Sequence, residues 1–145
     1  MKNAEALPRQ PTWLPTLCAR YSDLISALLA APLTIIHGEY YPQNVLMYEG
    51  VPCPVDWESA AIAAGELDLA SLTDRWPEDI VRDCVNAYQE ARWLSTPPTH
   101  FYKTLQIARV YTQLRWLGDW NELNSKDCGW RFERLRSYGE QLALI

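Results

Sequence analysis

No glycine precedes Gly38, and Lys2 is the only lysine ahead of it. The stretch before Gly38 therefore carries no glycine-rich phosphate-cradling loop and no strand lysine to serve one. The four cysteines (Cys18, Cys53, Cys84, Cys128) are scattered, with no Cys-x-x-Cys. That spacing excludes a zinc ribbon or a dithiol redox motif, and reduced thiols in a cytoplasmic setting are expected. No apolar run approaches the roughly 18 residues of a membrane span. Met1 to Gln10 has no apolar segment of the secretory kind. A formal charge of -5 leaves no basic stripe to meet phosphates, which excludes a nucleic-acid binder.

What is present is a chain of 145 residues, 48% hydrophobic, with seven Trp and eight Tyr. This is enough for one domain with a real core, and too little for two. Residues 1–15 hold Pro8, Pro11 and Pro15 without periodic apolar positions, an irregular lead-in. From about Thr16 to Ala30, Leu17, Tyr21, Leu24 and Leu28 recur at helical spacing, with Leu29 widening the stripe, until Pro32. Short β segments are expected at Leu33–Ile36, at Val45–Tyr48 and, after a Glu49-Gly50 turn, at Val51–Trp57. The alanine-rich Ser59–Trp76 reads as a loop followed by a short helix. A further helix starts near Pro77, where Glu78 and Asp79 suit its positive end, and buries Ile80, Val81, Cys84, Val85 and Tyr88. Others are expected at about Thr99–Leu117 and Gly129–Leu144, the last with Leu135, Tyr138 and Leu142 on one face. A polar loop, Asn121 to Asp127, lies between them.

The chemistry concentrates between Leu33 and Ala70. Glu39 and Asn44 sit in a polar loop between two β segments, and Asp56 follows at the end of the third. A carboxylate to take a hydroxyl proton, plus an amide oxygen and a second carboxylate to hold magnesium, is the set that phosphoryl transfer needs. The offsets agree. Protein kinases place a catalytic Asp two residues after a His and a metal-binding Asn five residues further on; here His37, Glu39 and Asn44 keep that spacing.

The run from His37 to Asn44, the apolar pair Val45-Leu46, the strand end Val55-Asp56-Trp57-Glu58 and the later Leu67-Asp68-Leu69-Ala70 together resemble the aminoglycoside phosphotransferase and choline kinase-like family. The likeness covers roughly residues 33 to 72. It implies the larger, C-terminal lobe of a protein-kinase-like fold: α+β, mainly helical, with a small β element carrying the catalytic loop. It places that lobe at 16–145, without the N-terminal nucleotide lobe. It also implies ATP as phosphoryl donor, Mg2+, and a small-molecule hydroxyl as acceptor. In that family the position of Glu39 is usually Asp. The extra methylene moves the carboxylate about one bond outward, and errors on the order of 1 Å matter at such sites.

Each candidate also has a plainer reading. Glu39 is the candidate base, or a loop carboxylate on backbone amides. Asn44 is a magnesium ligand, or a turn cap. Asp56 is the second metal ligand, or half of a structural ion pair. Glu58 supports the metal from the same strand face, about 7 Å from Asp56, or is a surface acid. By resemblance, His37 and Asp68 are supporting residues that steady the loop. His100 has no visible partner and reads as surface. Trp116, Trp120 and Trp130, with Tyr111 and Tyr138, either fill the core or line a pocket for a sugar or quaternary amine. Asp119, Glu122, Asp127 and Glu133 would suit a cationic acceptor.

Three functions compete. One is a small-molecule kinase. The second is a catalytically silent, truncated kinase-like domain acting as a binding module or remnant. A metal-dependent hydrolase using His37, Glu39, Asp56 and Glu58 is weaker, because no second histidine lies nearby. The kinase reading predicts an apolar face where another lobe, or a second copy, would pack.

Overall fold

A computed structural model describes residues 11–118 and 128–145. Six helices and four strands are seen among them. Two short helices come first, α1 (Leu14–Ala19) and α2 (Tyr21–Leu29). A single helix was expected here; the chain instead leaves helical geometry at Arg20, whose ψ is 4°. The stripe itself survives: Leu17, Leu24 and Leu28 are buried, while Tyr21 and Leu29 face solvent.

Strand β1 (Leu33–Ile36) follows, then a 3₁₀ turn at Pro42–Asn44 and a hairpin of β2 (Val45–Tyr48) and β3 (Val51–Pro54). Glu49 and Gly50 both have positive φ, 49° and 81°. That is the mirror-image turn whose twist suits a two-residue hairpin. The third β segment does not reach Trp57. It stops at Pro54, Asp56 adopts a left-handed conformation, and a 3₁₀ turn covers Trp57–Ser59.

The alanine-rich segment holds a strand that the sequence reading took for loop, β4 (Ala61–Ala64). It pairs antiparallel with β1, Leu33 opposite Ala64 and Ile36 opposite Ala61, as a sheet separate from the hairpin. Alanine is a poor strand former in isolation, so only the partner strand makes this one. Ile36 points inward at 6% exposure, whereas the cross-strand neighbours Ile35 and Ile62 are 73% and 72% exposed.

The rest is helical: α3 (Glu66–Leu72), α4 (Glu78–Arg92), α5 (Phe101–Leu117) and α6 (Gly129–Gln141). Helix α5 is the central element and packs on α2, α3 and α6. Its Phe101, Leu105, Ala108 and Val110 join Leu17, Leu69, Val85 and Leu135 in one apolar core. The expected buried face of α4 holds at Val85, with Val81, Cys84 and Tyr88 packed at the core's margin, but Ile80 is exposed. On α6, Leu135 is fully buried with Tyr138 beside it. The architecture is α+β and mainly helical, as the sequence indicates.

One buried acid stands out. Glu66 is 1% exposed, and neither its Oε2 nor the hydroxyl of nearby Tyr88 has a hydrogen-bond partner among the described residues. Burial pushes the Glu66 carboxyl above its ordinary 4.5, against a smaller opposing pull from its own backbone amide and Arg92. Above about pH 4.5 the native state then holds a proton that the unfolded chain has released. This group's contribution to stability is therefore complete at low pH and is lost as pH rises through the folded-state value. Glu66→Gln is expected to be at least as stable as the parent at neutral pH, with the difference shrinking toward pH 4.5. Thermal melts of both proteins across this range check it.

Candidate functional site

The loop that begins at His37 is anchored by one carboxylate. Asp68, in the first turn of α3, accepts the His37 amide on Oδ2 at 2.6 Å and the Gly38 amide on Oδ1 at 3.0 Å. Both of its oxygens are thus committed to the backbone where β1 becomes the loop. His37 completes the frame. Its ring Nε2 donates to the Val55 carbonyl at 2.8 Å, and its Nδ1 accepts the Glu39 amide at 3.3 Å. Those partners specify the neutral Nε2–H tautomer and leave neither nitrogen for proton transfer. His37 is 2% exposed and packs on Trp57, ring centroids 4.6 Å apart.

Gly38 allows the loop its path. Its φ is +83°, and a Cβ there would sit 2.3 Å from the Ser59 carbonyl oxygen. Both the left-handed backbone and the close approach require glycine. The loop then folds on itself. The Tyr41 amide donates to the Glu39 carbonyl at 2.8 Å, and the Asn44 side-chain amide donates to the same carbonyl at 3.0 Å.

This last bond decides what Asn44 offers. Its nitrogen faces the loop, so its Oδ1 takes no hydrogen bond among the described residues. Asp56 is exposed, and its carboxylate likewise takes no hydrogen bond or ion pair among them. The two segments are tied together by the Val55 amide donating to the Asn44 carbonyl at 2.9 Å. Asp56 itself has φ 66° and ψ 61°, a conformation uncommon outside glycine and enriched at functional sites. An uncommitted amide oxygen and an uncommitted carboxylate on linked segments suit a hard cation. Magnesium takes one or two protein oxygens and completes its shell with phosphates and water. No group of three or more His, Cys, Asp or Glu side chains among the described residues forms a self-sufficient metal cage.

Glu58 does not share a strand face with Asp56, because the chain has already turned into its 3₁₀ segment; its side chain is exposed. The reason is the left-handed turn at Asp56, closed by the Trp57 indole donating to the Pro54 carbonyl at 3.0 Å. His100 is exposed at the start of α5, as expected.

Glu39 has a partner that no local pattern announces. Arg115, near the end of α5, donates to Glu39 Oε1 at 3.1 Å and to the Gly38 carbonyl at 2.8 Å. The contact spans 76 residues of sequence, so no motif window contains it. Arg115 grips the loop by backbone and side chain at once, through the Gly38 carbonyl and the Glu39 carboxylate. Tyr41 lies alongside; burial raises its hydroxyl pKa, while Arg115 pulls the other way.

The aromatic candidates separate. Trp116 and Trp130 line one cleft of about 560 Å³, with Tyr41 and Pro42 of the loop on its wall. Tyr111 instead stacks on Tyr21 at 6.3 Å and borders a second cleft behind Gly38. Tyr138 sits away from the loop, near Asp74 and Arg134. Trp120, Asp119, Glu122 and Asp127 lie outside the described residues. The cysteines are free thiols, and no helix among the described residues is long and apolar enough to cross a membrane.

This arrangement has counterparts. The chain resembles the crystal structure of a choline/ethanolamine kinase family protein from Mesorhizobium loti, with a TM-score of 0.69 over 92% of its residues at 19% identity. At that identity the likeness establishes the fold. The chain spans about half the length of that protein, 50%. No curated protein gives a significant match. The sequence pattern of the phosphotransferase enzyme family, however, matches residues 2–101, a span that contains the whole Asp68-clamped loop from His37 to Asn44. The chain belongs to the phosphotransferase enzyme family.

Proposed function

We propose that this chain is the catalytic, metal-binding lobe of a small-molecule kinase that moves the γ-phosphoryl of ATP to a hydroxyl. Glu39 orients and deprotonates the acceptor hydroxyl. Asn44 Oδ1 and the Asp56 carboxylate hold Mg2+, with His37 and Asp68 fixing the loop between them. When bound, the metal neutralises phosphate charge during transfer. The observation that carries the reading is that Asn44 Oδ1 and the Asp56 carboxylate take no hydrogen bond among the described residues and lie on segments tied by the Val55 amide and the Asn44 carbonyl.

A silent, truncated domain is the second reading, favoured by the Arg115–Glu39 ion pair, which occupies the base at 3.1 Å. A guanidinium here also has a place in an active kinase, where it can hold Glu39 until the acceptor arrives. The exposed pair Ile35 and Ile62 supports a covering partner on the β1–β4 sheet, either a nucleotide lobe or a second copy. The test is a phosphorylation assay on this chain with ATP, Mg2+ and a panel of alcohols. The expected outcome is a folded protein that binds ATP weakly and does not turn over, because the described chain supplies only one side of a phosphate site. Turnover at an ordinary rate, abolished by Asp56→Asn, would show that these 145 residues suffice.

A further inference from the structure

A cleft of about 580 Å³ is bordered by α4, α5 and α6, and no residue from His37 to Asp56 lines it. Its volume is that of an ordinary small-molecule site. Apolar Val81, Val85 and Leu105 share its lining with three arginines, Arg82 on α4, Arg109 on α5 and Arg134 on α6. Two acids border it among the described residues, Asp74 and Glu78. Asp74 is paired with Arg134 at 2.8 Å. Glu78 stands one helical turn before Arg82, yet neither forms an ion pair among the described residues. With Asp74 and Arg134 cancelling, two guanidinium groups remain against one acid.

Arg109 is the group that needs an explanation. It is half-buried, between the fully buried Ala108 and Val110 of α5. One of its nitrogens donates to Gln106 Oε1 at 3.3 Å, and Gln106 in turn donates to Gln141 Oε1 at 2.8 Å. No acid pairs with Arg109 among the described residues. A guanidinium carries five N–H donors and keeps its charge at any ordinary pH. A single neutral amide leaves most of those donors, and the charge itself, unanswered. A half-buried cation without a counter-ion pays a desolvation cost that a bound anion relieves. The Tyr138 hydroxyl adds a donor. It accepts from Arg134 at 3.3 Å, and its own O–H has no acceptor among the described residues.

We propose that this cleft is a second binding site, for a small oxyanion of the phosphate or dicarboxylate kind. Arg109 is its main anchor and Arg82 its second cation. Guanidinium meets both kinds of oxyanion through charge-assisted, forked hydrogen bonds. The site stands apart from the phosphoryl-transfer reading, because it shares no residue with the loop or with Asp56. Asp74 nevertheless follows closely on α3, the helix whose first turn carries Asp68.

The test is calorimetric titration of the whole chain, without nucleotide or metal, with inorganic phosphate, succinate, glucose and choline. At least one of the two anions is expected to bind saturably, about tenfold or more tighter than glucose and choline. Which anion binds separates a phosphorylated ligand from a dicarboxylate. Arg109→Gln should weaken that anion about tenfold or more, and Arg109→Lys, which keeps the charge, should restore part of the loss. Arg82→Gln should weaken it as well. Arg82 is exposed, so this second variant leaves the core intact whatever Arg109→Gln does to folding. Arg75→Gln, outside the cleft, should leave the affinity as it was. No saturable heat from either anion would overturn the proposal, as would glucose or choline binding equally well. So would affinity unchanged in Arg109→Gln or in Arg82→Gln, or a loss in Arg75→Gln as large as theirs.

Discussion

Asp68→Ala is expected to cost the fold about 3 kcal/mol or more. Two charge-assisted hydrogen bonds disappear, those from the His37 and Gly38 amides at 2.6 and 3.0 Å. Both amides are then left in a partly buried position without an acceptor, and that penalty usually exceeds the net worth of the bonds themselves. The damage spreads along the loop, since His37 positions the Glu39 amide and the Val55 carbonyl through its ring. Asp68→Asn keeps one oxygen acceptor and turns a donor toward the other amide, so it should fall between parent and Ala. Denaturant unfolding of the three proteins measures the series. A loss below about 1 kcal/mol for Ala would mean that the loop holds its shape without the clamp.

In a form that turns over, with a lobe covering the nucleotide, Glu39→Gln is expected to lower kcat about a hundredfold or more, with little change in nucleotide affinity. Gln can still accept from Arg115 through its amide oxygen, so the loop contact at 3.1 Å has a substitute. What Gln cannot do is take a proton. Glu39→Asp is the informative control. The shorter acid restores the family's usual residue but falls short of Arg115, so it separates the carboxylate's chemistry from its tether. Arg115 itself predicts the complementary result: removing it should free the loop and raise KM more than it lowers kcat. A Gln variant as fast as the parent would leave Glu39 only its structural contact.

The candidate loop was legible in the sequence because His37, Glu39 and Asn44 sit at fixed short offsets, and the structure places all three in one hydrogen-bonded loop. Asp68 was assigned only as a steadying residue, and its two amide bonds now give that role a mechanism. The errors have physical causes. Strand β4 is built of Ala61, Ile62, Ala63 and Ala64, whose strand character comes from pairing with β1 and not from the residues themselves. Placing Glu58 on a face with Asp56 assumed an extended chain, and a single left-handed residue reverses that geometry. The one long helix expected before β1 breaks at Arg20, where the periodic leucines alone cannot reveal the interruption. Arg115 lies on a helix whose pattern reports only its buried face, so a tether to a loop 76 residues away left no local trace.

The central claim is that Asn44 and Asp56 form a metal–nucleotide site. Its most direct test is paramagnetic broadening by Mn2+, added with a nonhydrolysable ATP analogue to isotopically labelled chain. The expected result is selective loss of signals from Asn44, Asp56 and their neighbours at low Mn2+, with residues of α6 untouched. In Asp56→Asn, which keeps the shape and removes the charge, that broadening should require about tenfold more metal or more. Broadening spread evenly over the acidic surface, or a pattern at Asn44 unchanged by Asp56→Asn, would contradict it.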